Sequence, residues 1–197
     1  MVGILRKNHT RRGFSLIELL VSVGILAFIS SVILANHSRF NSQLLLGNLA
    51  YDVALSVRQA QVFGLSVREF KSSTTFDTGY GVHITSSDPN TYIIFADTNK
   101  NGVYDSGSDG IADTFSVRRG FAISDICATL TGVSEICNST GGVDSIDIVF
   151  LRPEPDANIY INGTNATRYS QGRIEVSSPS GTTRSVDVES TGQISIP

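Results

Sequence analysis

Tryptophan is missing from this 197-residue chain, methionine occurs once, and cysteine twice. Cys127 and Cys137, with nine residues between them, form no CxxC redox pair. His9, His37 and His83 are scattered, so no metal-ligand cluster of the Cys/His kind can be read either. Catalytic signatures are lacking too. There is no GxSxG, HExxH, phosphate-binding loop or paired-carboxylate pattern. Nothing in the sequence speaks for an enzyme. Three local absences matter more. Residues 1–13 hold no acid, residues 14–64 no proline, and Glu189 to Pro197 no Lys or Arg. The first marks a basic opening, the second allows an uninterrupted helix, and the third removes a basic tail.

What is present fits one folded domain of ordinary size, at 41% hydrophobic and 17% charged residues. The 18 glycines point to a turn-rich part. Arg6, Lys7, Arg11 and Arg12 stand in the acid-free opening, and taking these four charges away moves the net charge from −3 to −7. An acidic remainder has no global attraction for nucleic acid.

From Phe14 to Ala35 the chain reads FSLIELLVSVGILAFISSVILA, 22 residues whose single charge is Glu18. About 20 apolar residues span a bilayer as a helix. Basic residues before such a span stay cytoplasmic, so the chain beyond the span faces outward. The apolar core of a secretory signal peptide is shorter, about 7–15 residues, and ends at a small-residue cleavage site. A plain signal anchor leaves Glu18 unexplained. An acid at the bilayer centre costs about 2.5–3.5 kcal/mol on insertion scales and calls for a partner.

Gly13-Phe14-Ser15-Leu16-Ile17-Glu18 resembles the cleavage and methylation site of type IV prepilins, GF(T/S)LIE. The resemblance implies that prepilin peptidase cuts between Gly13 and Phe14 and methylates the amino group of Phe14. It implies that Glu18 of one subunit pairs with that amino group on the next, in a helical filament. A charge pair in lipid is less costly than either charge alone. Other pilins, the peptidase and a bacterial inner membrane are the implied partners. The implied placement is single-pass, N-terminus cytoplasmic, head periplasmic or extracellular.

The helix is expected to continue. Leu45, Leu49, Val53, Val57 and Ala60 recur at steps of three or four, one face of an amphipathic helix, and Gly64 reads as its stop. The 50 residues Phe14 to Phe63 make a rod of about 75 Å at about 1.5 Å each. Two helices broken at Asn36-His37-Ser38 are the alternative, with His37 an interfacial polar residue. The expected division is a leader 1–13, a transmembrane or filament-core helix 14–35, an amphipathic helix 36–64 and a β head 65–197.

After Gly64 the period becomes two. Strands are expected at Gly79–Thr85, Thr91–Ala96, Ala112–Val117, Ser145–Leu151, Asn158–Asn162, Arg173–Ser177, Ser185–Glu189 and Gln193–Ile196. The fold class is therefore α+β, a long N-terminal helix packed on an antiparallel sheet. LSVRQAQVFGLSV over residues 55–67, the FADTNKNGVYDSG segment, and Val188 to Ile194 are similar to the GspH/FimT family of minor pseudopilins and minor pilins, with Gln193 where that family has Arg.

Asp97, Asn99, Asn101, Gly102 and Asp105 fit the opening of a calcium loop, D-x-[DN]-x-[DN]-G. The twelfth position should be Glu and is Ser108; Asp109 or Asp113 are the nearest substitutes. The other reading is a hairpin with a type I′ turn at Asn101-Gly102 and no ion. No cofactor is required by the fold. Cys127 and Cys137 both lie beyond the membrane helix and read as a disulfide. Asn138, Asn162 and Asn165 match glycosylation acceptors, read as chance in a bacterial-type protein.

These features converge on a structural subunit of a type II secretion pseudopilus or a type IV pilus. A FimT-like DNA-binding minor pilin is the alternative. That role relies on basic residues near the C-terminus, and here they are missing. Arg118-Arg119 reads as a strand-end turn.

Overall fold

With no proline to interrupt it, the stretch beginning at Leu16 is helical. In the computed structural model, which describes residues 13–66, 70 and 77–197 with the backbone alone at 35–41, α1 runs Leu16–Leu65. Its backbone is helical through Asn36-His37-Ser38. The side chain of His37 and the basic residues Arg6, Lys7, Arg11 and Arg12, with His9, lie outside what is described. The chain forms two units, 1–40 and 41–197.

In the second unit α1 buries Leu46, Ala50, Val53, Val57 and Ala60. Val53, Val57 and Ala60 are the expected face; nearer its start Leu46 and Ala50 take the buried places, and Leu45 and Leu49 flank them, half-buried. Gly64 does not stop the helix, which continues to Leu65. It is a contact point. A Cβ there would lie 2.3 Å from the carbonyl oxygen of Phe150, so only glycine lets the helix approach that strand.

Eleven strands come after it among the described residues: β1 Gly79–Thr85, β2 Thr91–Asp97, β3 Gly110–Ser116, β4 Ala122–Thr129, β5 Ile136–Cys137, β6 Ser145–Phe150, β7 Ala157–Ile161, β8 Thr164–Tyr169, β9 Gln171–Ser177, β10 Thr183–Glu189 and β11 Ile194–Ser195. All pair antiparallel, in two sheets ordered β3-β2-β1-β6-β7-β8 and β11-β10-β9-β4-β5. The fold is α+β. It has two sheets where the sequence spoke for one, and β4, β5 and β8 are strands the periodicity did not mark.

One core takes side chains from α1 and both sheets: Val82 and Ile84 of β1, Ile148 and Phe150 of β6, Ile174 of β9 and Val188 of β10 are all buried. Alternation is regular in β7 and β9, where every second residue points inward. Gln61 of α1 ties the helix to distant chain ends. Its amide donates to the carbonyls of Pro155 at 3.0 Å and Gly192 at 3.2 Å. Gly192, at φ 82°, could not carry a side chain, since a Cβ would fall 2.1 Å from the Pro155 oxygen.

A smaller apolar cluster lies on the other side of the β1–β2–β6 region. Gly81 pairs with Phe95 on β2 and Val149 on β6. The Phe95 ring crosses over it, leaving no room for a Cβ. The Tyr104 ring, from the residue 98–109 loop, packs edge-on against Phe95.

Candidate functional site

The N-terminal unit presents its apolar residues unburied. Leu16–Leu34 is a 19-residue span of mean hydropathy 2.5, none of it buried, and is long and apolar enough to cross a membrane. Gly13 and Phe14 precede it outside the helix and are exposed. A Cβ on Gly13 would meet nothing within 4 Å. Packing among the described residues makes no demand for glycine there.

Glu18 stands in the first turn of α1, exposed. A carboxylate there is favoured by the helix dipole. Ser22 donates its hydroxyl to the Glu18 main-chain carbonyl at 2.7 Å, which leaves the carboxylate uninvolved. Among the described residues, no side chain is hydrogen-bonded or ion-paired to it.

In the head, Cys127 and Cys137 face each other across β4 and β5 and are bonded, S–S 2.00 Å. Asp125 steadies the segment beyond, accepting from the Ser139 N–H at 3.2 Å and from its hydroxyl.

The residue 98–109 loop closes on its own groups. Asp97, almost fully buried, accepts from the N–H groups of Asn101 at 3.1 Å and Gly102 at 2.9 Å. Burial pushes its carboxyl up, and these backbone bonds oppose the rise. Asn99 Oδ1 accepts from the Asn101 N–H and Asn101 Oδ1 from the Val103 N–H; Asp105 accepts from the amides of both Asn99 and Asn101. Asp109 accepts from the N–H groups of Thr98 and Asp105. Positive φ falls on Lys100 and Gly102, not on Asn101, so the hairpin turns through a 12-residue loop and not through a type I′ turn. Asp97, Asn99, Asn101 and Asp105 are brought together as the oxygens of a cation loop would be, yet each already receives an N–H. Lys100 forms an exposed ion pair with Asp77.

The remaining sequence candidates have structural employment. Asn138 donates to the Val143 carbonyl, Asn162 to Gly142 and Asn165 to Asn101. Arg118 and Arg119 form the exposed turn between β3 and β4, with Arg119 at φ 63°. Two features carried no sequence signal. One is the pair His83–Asp147, a partly buried imidazole on a buried carboxylate 64 residues away. The other is a stripe of exposed apolar residues on α1, Leu44, Tyr51, Leu55 and Val62, at steps of seven, four and seven, which keep them on one side of a helix. Periodicity does not show which apolar helical residues stay uncovered.

No curated protein and no solved structure matches the chain. The family model described as the Prokaryotic N-terminal methylation motif matches residues 8–34, which hold Gly13, Phe14, Glu18 and most of the apolar span. That motif, on an apolar helix ahead of an α+β head, gives the chain a prepilin-type N-terminus and supports a type IV pilin-like protein.

Proposed function

We propose that the chain is a minor pseudopilin or minor pilin of the GspH/FimT kind, a structural subunit of a type II secretion pseudopilus or type IV pilus. Prepilin peptidase cuts it between Gly13 and Phe14 and methylates the new amino group. Leu16–Leu34 then holds it in the inner membrane, with the head on the outer side. It enters the filament when Glu18 meets the amino group of Phe14 on an adjacent subunit.

The observation that carries this reading is Glu18, a lone carboxylate on an otherwise apolar, uncovered span. An isolated charge there is costly, and pairing with a neighbour's amine relieves it. The uncovered stripe from Leu44 to Val62 is in keeping with a helix that meets other chains beyond the membrane.

Replacing Glu18 by Val tests the reading. The span becomes more apolar, so insertion proceeds as before or better. Cleavage also proceeds, because the cut lies at Gly13. Co-purification and cross-linking with partner pilins at equal membrane levels should fall at least tenfold. Unchanged association would remove Glu18 from assembly and sink this mechanism.

A further inference from the structure

Asp147 sits on the central strand β6 with its side chain wholly buried. Its Oδ1 is hydrogen-bonded to His83 Nδ1 on β1 at 2.7 Å and accepts from the Tyr104 N–H at 3.3 Å. Its Oδ2 is buried with no hydrogen-bond partner. A buried carboxylate with half of its acceptor capacity unused is stable only when the charge is compensated. When protonated, His83 supplies the compensation, and it is the one side chain in ion-pair contact with Asp147 among the described residues.

The groups around the pair come from three directions. β1 brings His83, and β7 brings Tyr160, the register partner of Asp147. The residue 98–109 loop brings Tyr104 and Asp105, the latter of the same sign as Asp147. Tyr104 lies over the pair. Its ring is 4.8 Å from that of His83 and meets Phe95 edge-on at 5.3 Å. The loop thus seals the carboxylate from water, and the carboxylate holds the loop by the Tyr104 N–H.

We propose that one proton shared by His83 and Asp147 seats the residue 98–109 loop on the sheet, and that loss of this proton releases the loop. With the proton present the pair is neutral overall, whichever partner carries it. Without it, a negative charge is enclosed beside Asp105 with no cation against it, and lifting Tyr104 lets water reach the carboxylate. The direction agrees with the burial of Asp147, which pushes its carboxyl up from the ordinary carboxylate range. The seated state holds its proton more tightly than the released state. Seating is therefore strongest at low pH and weakens as pH rises through the titration of the pair. Release uncovers the Phe95 ring, which Tyr104 meets in the seated state.

Hydrogen–deuterium exchange of the detergent-solubilised full-length chain, from pH 5 to pH 8.5 and corrected for intrinsic exchange, tests this. Protection of peptides within 98–109 should fall with rising pH. The steepest fall should approach about tenfold per pH unit, the limit for one linked proton. Protection of β9 and β10 should stay constant, which separates loop release from global unfolding. Asp147→Asn keeps an acceptor oxygen for Tyr104 and cannot hold the charge, so its loop protection should be independent of pH. Loop protection in the unaltered chain that does not change with pH would overturn the proposal. So would an Asp147→Asn chain that keeps the wild-type slope.

Discussion

Cys127 and Cys137 occupy directly opposed positions on β4 and β5, where β5 contributes only two residues to its sheet. So short a strand has little hydrogen bonding of its own, and the bond substitutes for length. Closing a loop of this size is worth about 2–3 kcal/mol in the chain-entropy account. Alkylation of the exported protein without reduction should label neither thiol, and two labelled cysteines would contradict the bond. The loop at Asp97, Asn99, Asn101 and Asp105 invites a different measurement. Because its oxygens accept N–H groups from within the loop, the melting temperature should be the same in chelator and in millimolar calcium. A melting temperature that climbs with calcium concentration by mass action would instead place an ion among those four residues.

At the scale of elements, helix and sheet obey different controls. Gly47 and Gly64 both lie within α1, yet a Cβ meets nothing within 4 Å at Gly47 and lies 2.3 Å from the Phe150 oxygen at Gly64. Gly47→Ala should stabilise by up to about 1 kcal/mol, the ordinary helix-propensity gain. Gly64→Ala should reverse the sign and destabilise by about 1–3 kcal/mol, because the helix must move off β6. Denaturant midpoints of the two variants decide between propensity and packing. The same contrast explains what could be read from sequence. The alternation of β7 and β9 was legible because every second residue is buried. β4 was not, since its inward residues Ile123 and Ile126 are three apart, and only an irregularity in pairing between Ile123 and Asp125 lets both face the core. β8 was hidden for the opposite reason: an exposed edge strand, Thr-Asn-Ala-Thr-Arg-Tyr, has no apolar face to alternate. Gly64 read as a stop because a Cβ clash with a distant strand leaves no local trace.

For the whole molecule, period-two patterning says which residues turn inward but not which strands are neighbours. The division into two sheets sharing one core was therefore out of reach. The functional end was the most legible part, because its logic is local: a small residue, an apolar run, and one acid in a fixed place. Among the described residues nothing crowds Gly13, so packing does not set its size. Intact and N-terminal peptide mass spectrometry of the membrane protein, co-expressed with prepilin peptidase, tests the account most directly. It should find a chain beginning at N-methylated Phe14, and a Gly13→Leu chain that keeps residues 1–13. A mature N-terminus at any other residue, or a Gly13→Leu chain processed as the wild type is, would contradict it.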